Sequence, residues 1–386
     1  MKRRLFIKGG IAGLGLTLNP LSSIAEILNS SNSSLDFDPK ELQKMESLVE
    51  AYMRKYRVPG ISLAISKDES LLYTKAFGFA DPQKKEPLTQ KHRFRIASLS
   101  KPITSVCIFK LIDQGFISLN DKVFGKSGLL SDRFKRVIKN YYLEEVTLDH
   151  LLTHMVGDWD NERDDPMFLN NEMTHDELIE WTLKTRRLKR KPGKEYKYSN
   201  FGYCLLGRVI EEVTKMPYPD AAHKLVFEPC GMTSLELTGN KLEQRKSLEV
   251  IYQDQSGYDP YGYNFERMDS HGGWISTAED LVRFLVHVDG FSKKPDILTS
   301  DSIRVMTSPN SPGYVKGWVI DNFQAWCHAG GLQGSFSYMA RSKDGFCMAA
   351  LINSRRINSP MDVELHKLPW EMIAQIKKWP SIDLFS

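Results

Sequence analysis

Phe94-Arg95-Ile96-Ala97-Ser98-Leu99-Ser100-Lys101-Pro102-Ile103-Thr104 is the stretch whose reading decides the fold. It begins as a short, buried, strand-like segment and turns into the start of a helix. Ser98 and Lys101 fall on one face of such a helix. Ile103, Val106, Cys107 and Leu111 carry an apolar stripe onward at helical spacing, until Gly115 can close the helix. Pro102 is tolerated because in a first turn its missing N–H is not needed. The spacing therefore places Ser98 at or near a helix N-terminus, with a lysine amine one turn away. A serine nucleophile is activated in such a setting: the helix end offers free N–H groups, and a desolvated lysine can be neutral and take the serine proton. S-x-x-K alone is weak, because both residues are common, and an exposed helix turn explains it equally well. Two further motifs decide between these readings.

Length and charge set the frame. The chain has 386 residues, enough for one large domain or two small ones. Lys2-Arg3-Arg4-Leu5-Phe6-Ile7-Lys8 is a basic leader followed by the glycine-rich, weakly apolar stretch Gly9 to Leu18, and Ser23-Ile24-Ala25 suits cleavage. Paired arginines before Leu-Phe-Ile-Lys resemble a twin-arginine export signal. Residues 1–25 are thus expected to be an export signal, and the mature protein to be periplasmic or secreted by a bacterium. The apolar run is too short to span a membrane comfortably, so no stable span is expected after its removal. Lys2, Arg3, Arg4 and Lys8 account for the whole formal excess of +4, so the remainder is formally neutral and gives no reason to expect a nucleic-acid partner. Cys107, Cys204, Cys230, Cys327 and Cys347 are scattered and odd in number, which suits small core residues better than a disulfide framework. No C-x-x-C or HExxH motif occurs and the histidines are dispersed, so neither metal nor cofactor is expected.

Residues 26–37, rich in Ser and Asn at the start, read as a linker. Asp38-Pro39-Lys40-Glu41 is a helix start, continued by an amphipathic face to Pro59-Gly60. Ile61 to Ile65 and Leu71 to Phe77 read as a hairpin about Lys67-Asp68-Glu69. From Ser118 to Met268 the pattern is mostly helical, with long loops. Leu148 to His154 is a short helix ending near Gly157. The acidic run Asp158 to Asp165 lacks the central glycine of a calcium loop and reads as solvated, or as a wall of a site for cations. The basic run Lys184 to Lys194 reads as a solvated helix end, or as a contact for an anionic cell-wall or membrane surface. Ala325 to His328, Ser335 to Ala340 and Phe346 to Ile352 read as strands, and a last helix is expected over about Glu371 to Lys378.

Tyr198-Ser199-Asn200 precedes a helix that carries Leu205, Leu206, Val209, Ile210 and Val213 on one face. It is the only Y-x-N in the chain, as Ser98 to Lys101 is the only S-x-x-K. His328-Ala329-Gly330-Gly331 follows one strand and precedes another, so it can lie on a sheet edge facing the serine. With S-x-x-K, Y-x-N and H-x-G in this order, the chain resembles the serine β-lactamase and penicillin-binding-protein superfamily. The nearest branch is that of class C β-lactamases, D-aminopeptidases and esterases. Leu151 to Gly157, Tyr196 to Tyr218, His271 to Leu281 and His328 to Ser335 add to the resemblance, which spans nearly all of residues 38–386. It implies an α+β, β-lactamase/transpeptidase-like fold: an antiparallel sheet flanked by helices, with a helical subdomain. The sheet parts would be about 38–97 and 270–386, and the helical insert about 98–269.

The resemblance also implies roles. Ser98 would attack a carbonyl and form an acyl-enzyme, with Lys101 and Tyr198 sharing the proton transfers. Each would need a shifted pKa, supplied by neighbouring cations or by a phenol beside an ammonium. Asn200 would bond Lys101 and the substrate amide. The backbone N–H groups of Ser98 and Gly331, set up by Gly330, would form the oxyanion hole. His328 stands where lactam-binding members carry a lysine; being only partly charged near neutral pH, it is a weaker anchor for a carboxylate. His271 is expected to make an Nδ1–H bond to backbone. The chain is therefore expected to be a serine hydrolase acting on an ester or a D-amino-acid-containing amide or peptide. The alternatives are a β-lactamase or D-Ala-D-Ala carboxypeptidase, and an inactive cell-wall binding protein. A small-molecule or peptide substrate is the expected partner, with peptidoglycan a candidate.

Overall fold

The computed structural model describes residues 37–136, 141–161, 164–309, 313–321 and 324–385. The export-signal reading of residues 1–25, and all of the 26–37 linker reading except Phe37, lie outside these.

Helix α1 (Pro39–Tyr56) starts where the sequence predicts. Asp38 Oδ1 accepts from the Lys40 and Glu41 N–H groups at 2.8 and 3.1 Å, and Pro39 fills the position that needs no donor. Strands β1 (Gly60–Lys67) and β2 (Ser70–Asp81) form the expected hairpin, turned at Asp68 and Glu69 with φ of 48° and 60°. The short β3 (Glu86–Pro87) pairs with β2. Helix α2 (Ser100–Asp113) follows, then, among other helical segments, α3 (His175–Thr185), α4 (Asn200–Thr214) and α5 (Ala278–Val286). The chain then returns to the sheet with β4 (Tyr314–Val315), β5 (Trp318–Ile320), β6 (Trp326–Leu332), β7 (Ser335–Arg341) and β8 (Phe346–Ile352), and closes with α6 (Met361–Ile373). The main sheet is antiparallel in the order β3-β2-β1-β8-β7-β6-β5-β4.

Strand periodicity divides the apolar residues between two cores. Ile61, Leu63, Ile65, Met348, Ala350 and Ile352 face α1 and α6, where Val49, Leu365 and Met372 pack on them. Ala64, Cys347, Ala349 and Leu351 face the opposite way, toward α5 and the helical segments. Helix α2 lies inside this larger core: Ser100 to Phe109 and Leu111 are all buried, so the apolar stripe read from the sequence is in fact nearly a whole buried surface. Gly115 closes the helix as predicted, with φ +75° and the Phe116 N–H bonded back to Leu111 O at 3.0 Å.

Three elements depart from the sequence reading. The helix over Leu148–Leu152 ends at Thr153, well before Gly157. His328 to Gly331 lie within β6 rather than beyond a strand, because the glycines let other groups approach the strand instead of turning it: backbone of Ile96 and Ser98 at Gly330, the Arg355 guanidinium at Gly331. The last helix runs Met361–Ile373 rather than Glu371 to Lys378. Met361, Leu365, Leu368 and Met372 bury one stripe on the sheet, and this packing carries the helix through Pro369. All five cysteines are free thiols, four buried and Cys327 half-buried.

Candidate active site

Ser98 sits one step ahead of the position that the sequence suggested. Ala97–Leu99 form a tight 3₁₀ turn and α2 begins at Ser100, so Ser98 precedes the helix. Ala97 has φ +48°, sparsely populated for a residue with a Cβ; such strain at a sharp turn exposes the following side chain. The turn is clamped from the sheet side. Ser337 Oγ on β7 donates to Ile96 O at 2.7 Å and to Gly330 O at 3.2 Å. A Cβ on Gly330 would lie 2.2 Å from Ile96 O and 2.9 Å from Ser98 N, so only glycine lets β6 reach the turn.

Lys101, one turn on, is completely buried. Its Nζ lies 2.9 Å from Ser98 Oγ, 2.7 Å from Asn200 Oδ1 and 3.2 Å from the His271 carbonyl oxygen. The amide and backbone oxygens can only accept, so the amine donates to both. A neutral amine has two protons for them and keeps its lone pair for the Ser98 hydroxyl. Burial pulls the Lys101 pKa down to about 7, the Asp165 carboxylate opposing. The cause is thus desolvation rather than the neighbouring cations expected from the sequence. His271 contributes its carbonyl; its ring Nε2 is buried without a partner among the described residues.

Tyr198 and Asn200 arrive from the start of α4. Ser199 caps that helix, its Oγ accepting from Gly202 N at 3.0 Å. This cap fixes the helix start, with Tyr198 just before it and Asn200 as its first residue. Tyr198 hydrogen-bonds Ser98, and its ring centroid lies 4.7 Å from Lys101 Nζ. Burial moves the phenol up, against the Ser98 bond, so it stays protonated at neutral pH. The two groups therefore shift in opposite senses, and the amine alone is poised as resting base. Asn200 bonds Lys101 as expected, and one of its two Nδ2 hydrogens goes to Asp165 Oδ2 at 2.7 Å.

Asp165 corrects the reading of the acidic run. The residue is buried, whereas Asp158, Asp160 and Asp164 line an open cleft of about 1090 Å³ with Lys184, Arg186, Arg187, Lys189 and Arg190. The acidic and basic runs thus face each other, and Asp158 Oδ2 accepts from Lys189 N at 2.7 Å. Only the buried position of its last member separates Asp165 from the run, and composition does not carry that.

β6 supplies the other wall. Leu332 and Ser335 flank a two-residue turn, so Leu332↔Ser335 and, by alternation, Gly330↔Ser337 and His328↔Met339 are the hydrogen-bonded pairs with β7. The N–H groups of Ala329 and Gly331 therefore point off the opposite edge, where β5 pairs only as far as Cys327. His328 is buried and uncharged, contrary to the partial charge expected: burial, then the Lys101 charge, bring its pKa to about 3. Its Nδ1 donates to Ala329 O at 2.7 Å, which leaves Nε2 to accept from the Tyr314 hydroxyl at 3.3 Å. Sequence reasoning missed Tyr314 and also His154, whose ring stacks 4.3 Å from Tyr198 and 4.5 Å from Tyr314. His154 Nδ1 accepts from Ser199 N at 3.1 Å, and burial keeps this ring neutral too. Among the described residues, no group of His, Cys, Asp and Glu could hold a metal ion.

A serine with a half-neutral lysine, a protonated phenol and an edge N–H opposite is the equipment of a serine hydrolase. Residues 45–367 match the Beta-lactamase family, and the chain belongs to it. Among curated relatives, Protein flp of Staphylococcus aureus (strain N315) is 27% identical over 331 residues, covering 82% of this chain. The chain matches only 64% of that relative's length. Among solved structures, the octameric penicillin-binding protein homologue from Pyrococcus abyssi superposes with a TM-score of 0.71 at 25% identity, over 88% of this chain and 79% of that one. D-amino acid amidase from Ochrobactrum anthropi SV3 gives 0.71 at 22% identity, over 86% of this chain and 98% of the other.

Proposed function

We propose that the protein is an exported hydrolase that opens an ester or a D-amino-acid-containing amide through an acyl group carried on Ser98. The observation that supports it most is the buried Lys101 amine, hydrogen-bonded to Ser98 and brought to a pKa of about 7. The neutral amine takes the Ser98 proton as Oγ bonds to the substrate carbonyl carbon. The Ser98 and Gly331 N–H groups receive the charge that develops on the carbonyl oxygen. Tyr198 passes its proton to the departing alkoxide or amine as the C–O or C–N bond breaks, and the Lys101 ammonium reprotonates the phenol. Water then attacks the acyl carbon by the same steps in reverse, and Ser98 leaves with a proton. His328 and Tyr314 hold the β6 edge and carry no charge to the substrate. Similarity to a D-amino acid amidase and to a penicillin-binding protein homologue supports the D-configured substrate class. Peptidoglycan is the natural source of such groups for a protein exported by the signal read in residues 1–25.

The test is covalent labelling with a fluorophosphonate, alongside hydrolysis of short-chain nitrophenyl esters, D-aminoacyl anilides and a chromogenic cephalosporin. Labelling confined to Ser98 and abolished by Ser98→Ala is expected. Slow cephalosporin turnover is also expected, because the neutral His328 leaves that position without a cation for the lactam carboxylate. Labelling elsewhere, or none under conditions that label a related enzyme, overturns the proposal. Binding to peptidoglycan unaffected by Ser98→Ala, with no substrate hydrolysed, would instead identify an inactive binding protein.

A further inference from the structure

Asn200 can serve Lys101 only if its carboxamide is turned the right way. The two ends of that amide differ in function and scarcely in shape, so something must fix the orientation. Asp165 does so. Its Oδ2 accepts from Asn200 Nδ2 at 2.7 Å; a carboxylate cannot donate, so the amide nitrogen must face Asp165 and Oδ1 must face the amine, 2.7 Å away. The other Asp165 oxygen accepts from Met167 N at 3.0 Å, at the cap of a short 3₁₀ turn that opens with Pro166. The loop is also stitched to α4 by backbone: Asn161 N donates to Tyr198 O at 2.9 Å, and Asn200 N donates to Asn161 Oδ1 at 2.9 Å.

We propose that Asp165 is a positioning residue of the site, locking the Asn200 carboxamide oxygen onto Lys101 and holding a buried negative charge one side chain away from the amine. This rests on the reading of Lys101 as the base. The lock acts on rate: if the amide turned over, its NH₂ would compete with the Ser98 hydroxyl for the Lys101 lone pair. The charge acts on the pH at which Lys101 becomes neutral. Both groups are buried, so their attraction is little screened. Around Lys101 stand Tyr198 just ahead of α4 and Tyr203 within it, His154 from an earlier segment, His271 from the loop ahead of α5, and His328 from β6. Burial holds all three imidazoles neutral and both phenols protonated near neutral pH. Arg186 and Arg267 face Asp165 from the other side. Among the described residues, Asp165 is thus the one carboxylate bearing on the amine.

The experiment follows the second-order rate of fluorophosphonate labelling, and kcat and KM on a nitrophenyl ester, across pH 5 to 9. Asp165→Asn keeps the volume and removes both the charge and the one-way lock. It is expected to lower kcat about tenfold or more with KM little changed, and to move the acid limb down by about half to one pH unit. Asp165→Glu, which keeps the charge, is expected to leave the limb near its wild-type position. In an Asn200→Ala background Asp165→Asn should cost little further in kcat, because the lock has nothing left to hold. Should Asp165→Asn not fold, Asp165→Ser removes the same charge and gives the same reading. A limb that stays put in the uncharged variants, or that moves equally in Asp165→Glu, overturns the inference while leaving the Ser98–Lys101 reading intact. A wild type that is never labelled at Ser98 overturns both.

Discussion

A base whose pKa has been brought to about 7 by burial must write that value into the rate. Below it Lys101 is an ammonium, with no lone pair for the Ser98 proton. At pH 5, two units down, only about 1% of the amine is free, so kcat/KM should sit about a hundredfold under its plateau, with a limiting slope of one. The imidazoles and the phenol at the site do not blur this limb. His328 titrates at about 3, His154 and His271 are held well below their ordinary value, and Tyr198 is moved up. The profile should therefore rise through neutrality and stay flat to pH 9. Lys101→Arg gives the perturbation that isolates the cause. A guanidinium keeps its proton at any of these pH values. It should cost about 10²–10⁴ in kcat/KM, the usual worth of a general base, and abolish the limb. The assay is kcat/KM for a nitrophenyl ester at constant ionic strength, paired with the labelling rate to exclude a change in rate-limiting step. A flat wild-type profile from pH 5 to 9, or a Lys101→Arg variant retaining more than about a tenth of the activity, would refute the reasoning.

Two further outcomes concern the frame around the site. Gly330→Ala drives a methyl to within 2.2 Å of Ile96 O, so β6 and the Ser98 turn must separate; loss of labelling with only a modest change in melting temperature is expected, and wild-type labelling would show that the close approach is dispensable. Asp289 is buried just beyond α5, its carboxylate accepting from Phe291 N at 2.8 Å, and burial raises its carboxyl to about 7. A carboxyl raised in the folded state binds its proton there more tightly than when unfolded, so stability falls as pH climbs from about 4 to 7 and the full penalty stands above 7. Asp289→Asn should therefore stabilise the protein at pH 8, by at most about 4 kcal/mol, and do little at pH 4. Equal melting shifts at both pH values would contradict it.

What could be read from the sequence was local. Ser98 and Lys101 are one turn apart and Asn200 opens a helix, so the spacing of the motifs, taken together in their order, pointed to these residues. The hairpin at Asp68 and Glu69 was equally legible, because turn chemistry and strand alternation act over a few residues. Burial was not legible. Asp165 looks like its neighbours in an acidic run, yet it alone is sequestered against Asn200. His328 carries an ordinary imidazole, and only the surrounding protein shows that its charge is suppressed. Tyr314 is connected to His328 by tertiary contact without any sequence signal. The last helix runs through Pro369, because a stripe of four buried apolar side chains carries it past the missing donor, and that burial is tertiary.

Desolvation is the device common to these misses. The environment of Ser98 holds three neutral imidazoles, two protonated phenols and one amine, every one of them shifted first of all by burial. Had His328 kept a proton, its charge would have pushed the amine lower still. Keeping His328 neutral, through Ala329 O on one nitrogen and Tyr314 on the other, leaves the Lys101 amine as the basic group beside Ser98 that is balanced between its two forms near neutral pH. Ser98 Oγ is bonded to that amine and to the Tyr198 phenol, so the two groups assigned its protons are already in contact with it.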